Sequence, residues 1–499
     1  MKRWCAVVLL VFLISPGCRR DKTRSSERRV DRETPITHPV SSLQTIHNKQ
    51  GEWRDFHSFY GVYVADKKVG WAEETVRQVA DGGVRTEMTL KLRLVRMGTE
   101  MVMLFTEEAE YDPPPQGRMR LVHSVQEMGA ASRVVYDGKR QDEHFVMRTT
   151  VGEKTQTKTI PLPKRSVADR APFLRIKKLT AASPGTTVVG WDFDYQQLVD
   201  IRMESKVLST KATRLHGVPV TVLVVETFVP HENLTMTERL TAEGQTLETQ
   251  VGHLFRLVLE DKHVAQDVSA VLPDMFKSAT ISLDRPLGAP GSVQSLSLRL
   301  TGIPSTLVLD DERQKRDGER LHIRRVPFAE VPLVDLHKDD ERKFREITPF
   351  IDHDDVSLRA LSSQARGDMG TVDHVRSLNH LAHQALRYTL ETAPESASQI
   401  LHGGRGDCSE YTRLFVALCR SAGYPAREVT GVAYAGDSDP GLVYHAWAEV
   451  YVKGRWLAVD PTWDQLPIDA THLTLARDSV SGFVGLVGGI QASVISVNQ

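Results

Sequence analysis

Gly404-Arg405-Gly406-Asp407-Cys408-Ser409-Glu410-Tyr411, then Gly423-Tyr424-Pro425-Ala426-Arg427, Tyr444-His445-Ala446-Trp447 and Val459-Asp460-Pro461, decide how this chain is read. Gly404 and Gly406 permit a tight backbone approach just before Cys408. Asp407 is placed to cap a helix whose apolar residues Tyr411, Leu414, Phe415 and Leu418 recur at helical spacing. Gly423 and Pro425 end that helix. Cys408 is therefore expected at a helix N-terminus. There the macrodipole and unpaired N–H groups favour a thiolate, and the same N–H groups can hold an oxyanion.

The next two motifs follow by strand register. From Val443 to Val452 the residues alternate, with His445, Trp447, Glu449 and Tyr451 on one face. Lys453-Gly454 reads as a two-residue hairpin turn leading into a second strand from Arg455 to Thr462. Such a turn pairs Val452 with Arg455, sets Trp447 opposite Asp460 and places His445 opposite Thr462. His445 and Asp460 become diagonal neighbours on one face, roughly 7 Å apart at Cβ. A slip of one residue would send Asp460 to the other face. Cys408, His445 and Asp460 are thus expected to act as nucleophile, general acid/base and orienter of the base. Trp447 is expected to wall the substrate pocket, and Arg427 and Glu449 to form a structural ion pair. Cys419, on the apolar side of the helix, reads as a small buried hydrophobe.

These segments resemble the transglutaminase-like superfamily of papain-like cysteine acyltransferases and peptidases. The resemblance covers roughly the last third of the chain and rests on the nucleophile segment, G-x-P-x-R, H-A-W and D-P-T-W in that order. It implies the same roles for Cys408, His445 and Asp460. It also implies a further side chain upstream of the cysteine that helps the oxyanion hole, for which Gln399 is a candidate that no motif places.

Other motifs have local explanations. Arg405-Gly406-Asp407 spells an adhesion tripeptide but abuts the nucleophile. Asp437, Asp439 and Gly441 hint at a calcium loop, yet Ala448 stands where the closing glutamate belongs, so an exposed turn is expected. No zinc ligand set or phosphate-binding glycine loop is present in the sequence, and no metal or cofactor is expected.

At the N-terminus Lys2 and Arg3 precede an apolar run from Ala6 to Ile14 and then Ser15-Pro16-Gly17-Cys18. Such a run is too short to span a bilayer and reads as a secretory signal over 1–17. Its end resembles a bacterial lipobox, although Ser15 replaces the usual leucine. By that resemblance Cys18 is lipid-modified and anchors the protein to the membrane of the cell envelope. Residues 18–45 are polar, charged and poor in bulky apolar groups, the composition of a disordered tether. Cys408 and Cys419 lie eleven positions apart on one helix, roughly 16 Å along its axis. That exceeds the reach of a disulfide, leaving an exported protein with an unbridged thiol at a helix start.

The remaining chain sets the architecture. Its 499 residues carry a net charge of −1, which gives no argument for a nucleic-acid partner. Residues 46–275 read as a β-rich domain with Asp-Gly, Gly-Gly and proline turns, forming a large curved sheet or open barrel. Residues 276–345 read as a small strand-rich connection, and 346–499 as the transglutaminase-like catalytic domain. There Val375, Leu378, Leu381, Ala382, Ala385 and Leu386 form an apolar helical stripe expected to pack beneath the nucleophile helix. Leu473–Leu475 and Val494–Val497 are expected as short closing strands. The fold class expected is α+β, with an antiparallel β-rich domain ahead of the papain-type one. The function expected is exported, cysteine-dependent acyl transfer on protein or peptide amides through a thioester. Resolution by an amine makes a transferase, and resolution by water makes a peptidase or amidase. The residues leave that choice open. A silent binding scaffold is the alternative from another class, and an intact Cys-His-Asp set argues against it.

Overall fold

The computed structural model describes residues 55–499, apart from 65, 97, 115–116, 130–131, 182–184, 216–217, 270, 306, 308, 391–394 and 479–480. The expected signal, the tether and Cys18 lie outside the described residues.

Between Phe56 and Glu260, fourteen strands among the described residues form one antiparallel sheet. From Lys154–Pro161 at one edge, each strand pairs with its predecessor back to Phe56–Val64. That strand then pairs with Phe255–Glu260, and the order runs back to Val188–Asp194 at the other edge. The cause is local: hairpin follows hairpin, and strands such as Val84–Arg96 and His144–Val151 alternate buried with more exposed residues. In Val84–Arg96 the buried positions are Val84, Thr86, Met88, Leu90, Leu92, Leu94 and Arg96. A period of two puts all seven on one face, so a charged guanidinium ends a row of core side chains.

Among the described residues two smaller sheets and a two-stranded pair, Arg387–Tyr388 with Arg405–Gly406, accompany the large one. Gly441–Val452 pairs with Ala426–Tyr434, which pairs in turn with Leu473–Arg477; Arg455–Val459 and Ile281–Ser282 also join Gly441–Val452. In the other, Ser295–Thr301 lies between Arg320–Arg324 and Gln491–Asn498, near the end of the chain. Residues 276–345 share sheets with the C-terminal part: Ile281–Ser282 joins Gly441–Val452, and Gln491–Asn498 covers an edge of Ser295–Thr301 that would otherwise lie open. With short helices beside these sheets, the chain is strongly β-rich, and the α+β class fits it only loosely.

The nucleophile helix, Cys408–Ser421, is buried from Cys408 through Cys419 except at Ser409. Leu414, Phe415 and Leu418 share a core with Val375, Leu378 and Ala382 of the helix Val372–Ala385, as the apolar stripe implied. Each fully buried leucine here stabilises the fold by roughly 1.5–3 kcal/mol. Cys408 itself belongs to a different core, shared with Leu92, Leu94 and Phe105 of the large sheet. The two parts interlock at other points. Lys154 at the sheet edge pairs with Asp352 and Asp355, and Lys158 with Glu346. Gly485 sits so close to Asn233 that a Cβ there would fall 1.8 Å from the carbonyl oxygen. No described helix is long and apolar enough to cross a membrane.

Candidate active site

Asp407 caps the nucleophile helix as the sequence implied. Its carboxylate accepts from the N–H of Ser409 at 2.8 Å and from that of Glu410, while Glu410 accepts from the Asp407 N–H at 2.9 Å. This closed capping box has a chemical consequence. Two of the N–H groups expected to hold an oxyanion already serve the cap. Gln399 serves a cap as well: its side chain accepts from Ser396 N–H in the box that starts the helix Ala397–Gly403. The structure therefore assigns it a local structural role.

The hairpin register follows the expected turn and then departs from it. Lys453 and Gly454 both have positive φ, 47° and 79°, which suits the twist of a two-residue hairpin. Val452 pairs with Arg455, and the ladder continues to Ala448 opposite Val459. Beyond that point Asp460 leaves the ladder and bridges Gln465 instead, so the pairings expected for Trp447 and His445 are not made. The cause is the Asp460-Pro461 turn, in which Asp460 Oδ1 accepts from the N–H groups of Thr462 (2.7 Å) and Trp463 (3.3 Å).

His445 and Asp460 nevertheless meet. His445 Nε2 lies 2.9 Å from Asp460 Oδ2, and both side chains are wholly buried. A carboxylate only accepts, so Nε2 carries the proton. The other ring nitrogen, Nδ1, faces away from that carboxylate. It is buried and has no hydrogen-bond partner among the described residues. Cys408 approaches the same place, because the N–H of Ala446, the residue after His445, donates to its sulfur. The fold thus hydrogen-bonds His445 to Asp460 and sets the Cys408 sulfur against the backbone of the His445 strand.

The expectation of a ready thiolate is corrected by the surroundings. Burial, and then the Asp407 charge, push the Cys408 thiol well above its ordinary range, against the opposing effects of Ala446 N–H and Arg96. Cys408 has no exposed surface, and neither have His445 and Asp460. Any reagent would reach the sulfur only if the cover over it opened.

Three neighbours escaped the sequence reading. His472 Nε2 lies 3.1 Å from the same Asp460 Oδ2, and its Nδ1 lies 3.1 Å from Asp469 Oδ1. A neutral imidazole has one N–H, whereas both its nitrogens here face carboxylates, which requires the imidazolium. Burial opposes that charge, but Asp469 and Asp460 outweigh it and raise the pKa of His472. Asp460 experiences the converse: burial opposes its charge, yet the two imidazoles hold its carboxyl well below the usual range. The third neighbour, Trp463, stacks on His445 with ring centres 4.4 Å apart and planes 14° off parallel. Trp447, expected to wall the pocket, is instead wholly buried among Val429, Ala458 and Ile468, edge-on to His472. The available signal was Asp469-Ala470-Thr471-His472 beside a strand start, a spacing too general to stand out.

His445, Asp460 and His472 also place their ligand atoms within 4.8 Å of one another, a set that could present to a metal ion. Both Nε2 atoms aim at one carboxylate oxygen at hydrogen-bond distance, which is the geometry of a proton-bearing chain rather than of ligands around a shared centre. Arg427 and Glu449 form the expected ion pair at 2.6 Å, joined by Arg477. Asp437 of the calcium-like segment accepts from Gly288 N–H and the Tyr434 hydroxyl, as part of a turn.

Comparison with known proteins places part of this region in a family. Residues 359–461, which include Cys408, His445 and Asp460, match the family described as the Transglutaminase-like superfamily. A 97-residue stretch is 35% identical to Kyphoscoliosis peptidase of Mus musculus, covering 17% of this chain and 15% of that protein. A 103-residue stretch is 32% identical to protein-glutamine gamma-glutamyltransferase of Pseudomonas aeruginosa, covering 18% and 15%. A solved structure of a candidate cysteine protease from Cytophaga hutchinsonii aligns over 41% of this chain and 86% of its own, at 16% identity and a TM-score of 0.26. The chain thus spans only about a seventh of the length of these two curated relatives. Its C-terminal part carries a transglutaminase-like domain, of a superfamily whose members are usually cysteine-dependent enzymes.

Proposed function

We propose that this protein is a cysteine-dependent acyl transferase acting on amide groups of proteins or peptides. The observation that carries the reading is the buried His445–Asp460 hydrogen bond beside the Cys408 sulfur, with His445 Nδ1 left as a base. Cys408 passes its proton to His445 and attacks the amide carbonyl. The C–N bond breaks as His445 returns the proton to the leaving amine, and a thioester remains on the sulfur. Asp460 holds the imidazole in the productive tautomer throughout.

An amine then resolves the thioester and makes a new amide. Transfer is the first reading, supported by the stretch 32% identical to a protein-glutamine gamma-glutamyltransferase. Hydrolysis by the same intermediate is the second reading, supported by the match to a peptidase at an identity similar to that of the glutamyltransferase. The protein is further proposed to be exported and lipid-anchored through Cys18, on the strength of the leader and lipobox-like sequence.

Wild-type and Cys408→Ala protein are incubated with envelope proteins, with and without a primary amine, and the products are mapped by mass spectrometry. Cysteine-dependent amine incorporation at glutamine is the expected result. Cysteine-dependent cleavage alone would move the assignment to the peptidase, and identical products from both proteins would overturn the enzyme reading.

A further inference from the structure

Arg96 belongs to the large sheet, yet its guanidinium lies at the start of the nucleophile helix. Its Nη2 donates to Asp407 Oδ2 at 2.7 Å, and the two side chains are 2% and 3% exposed. The strand end that carries it is tied down: Val95 bridges Asp274, the helix Met275–Ala279 follows, and Ile281–Ser282 then joins the His445 strand. A route of backbone contacts thus connects the base of the guanidinium to the sheet that holds the imidazole.

A carboxylate at the cap organises the helix but places a negative charge one residue from the nucleophile. In a site closed to water, like charges so close repel strongly. We propose that Arg96 is a positioning residue that neutralises Asp407 so that Cys408 can ionise, making the transglutaminase-like site depend on the large sheet. The inference rests on the reading of Cys408 as nucleophile. It gives the β-rich part a chemical task in addition to any partner it binds.

The other charges around the sulfur are consistent with this account. The titratable groups facing it are Asp407 and Glu410 from its own helix and Arg96 from the large sheet; Tyr388 faces the guanidinium. Burial and then the Asp407 charge push Glu410 up towards its neutral form. Burial opposes the Arg96 charge, but Asp407 outweighs it and raises its pKa. With Arg96 offsetting Asp407 and Glu410 pushed towards its neutral form, moving a proton from Cys408 to His445 creates a single new ion pair.

The test uses the full chain and four variants: Arg96→Gln, Arg96→Lys, Asp407→Asn and the double variant Arg96→Gln/Asp407→Asn. Iodoacetamide labelling of Cys408 is followed against pH by peptide mapping, with Cys419 as internal reference. Arg96→Gln should shift the labelling profile upward by about one pH unit, which is about tenfold in rate at neutral pH. Arg96→Lys should retain most of the wild-type reactivity. Asparagine caps a helix as well as aspartate does, so Asp407→Asn should fold, remove the negative charge beside the sulfur and shift the profile downward. The double variant should label faster than Arg96→Gln. A purely structural contact would lower reactivity without these opposite shifts. An unchanged profile in Arg96→Gln, or a double variant that melts like wild type and labels no faster than the single, overturns the inference. If Arg96→Gln fails to fold, the downward shift in Asp407→Asn alone decides, and its absence refutes the proposal. Cys408 labelling no faster than Cys419 in the wild-type protein would instead refute the nucleophile assignment itself.

Discussion

Asp460→Asn probes the site with the least change in shape. Asp460 Oδ2 accepts from two imidazoles, at 2.9 Å and 3.1 Å, and Oδ1 accepts from two backbone N–H groups. An amide has one oxygen for these two roles. If that oxygen keeps the Thr462 and Trp463 N–H groups, the NH₂ faces both Nε2 atoms, and each imidazole must present a lone pair there. His472 can comply, because its Nδ1–H still donates to Asp469. His445 can comply only by moving its proton to Nδ1, the nitrogen that must receive the proton of Cys408. The opposite flip sets the NH₂ against the Asp460 cap donors and loses the turn. In the serine triad the comparable change lowers turnover about 10⁴-fold. A thiol needs less help from its base, so the expected loss in kcat/KM is on the order of 10–10³, or about 1.4–4 kcal/mol of transition-state stabilisation. Amine incorporation is measured at matched folded concentration, established by thermal melting. If Asp460 merely capped the turn before Pro461, asparagine would substitute almost freely. Wild-type turnover in Asp460→Asn would refute the shared-carboxylate account and, with it, the assigned triad.

The other expectations are simpler. Cys408→Ala should abolish amine incorporation and cleavage while the melting temperature stays within a few degrees, since only one small buried group is removed; residual turnover would exclude the nucleophile. Cys18→Ser should move the protein from the membrane fraction to the soluble or precursor pool, because no thioether to lipid can form; unchanged fractionation with cleavage mapped elsewhere would exclude the anchor. His472→Gln should destabilise most in acid. The raised folded pKa of His472 contributes stability that is fully present below the unfolded value, about 6.5, and is lost as pH climbs through the folded value. The gap in melting temperature between wild type and variant should therefore shrink as pH rises, and a gap equal at every pH would exclude the imidazolium.

Much of the site was legible because its determinants are local. The Lys453-Gly454 turn sets the hairpin pairing without outside help. Asp407 and Glu410, three residues apart, form a capping box by helix geometry alone. Period-two burial likewise produced the hairpin-by-hairpin sheet. It also carried an unused signal: Arg96 falls on the same alternation as Leu90, Leu92 and Leu94, a core position where a charge requires a partner.

The partner is what the chain order concealed. Asp407 lies 311 residues from Arg96, and no periodicity or spacing connects them. The same holds for His472 and Trp463, which reach His445 only after the Asp460-Pro461 turn leaves the ladder and Leu473–Arg477 docks beside Ala426–Tyr434. The ionisation state of Cys408 was also decided at this level. Sequence placed the sulfur in the field of a helix N-terminus, which favours a thiolate, and folding then buried it beside two carboxyl groups, which opposes one. Local sequence determined the helix start at Cys408, the strand that carries His445 and the turn that presents the Asp460 carboxylate, because short-range hydrogen bonds and strand period specify them. Tertiary packing determined the charge around them, because desolvation and long-range ion pairing exist only once the large sheet has closed against the helix.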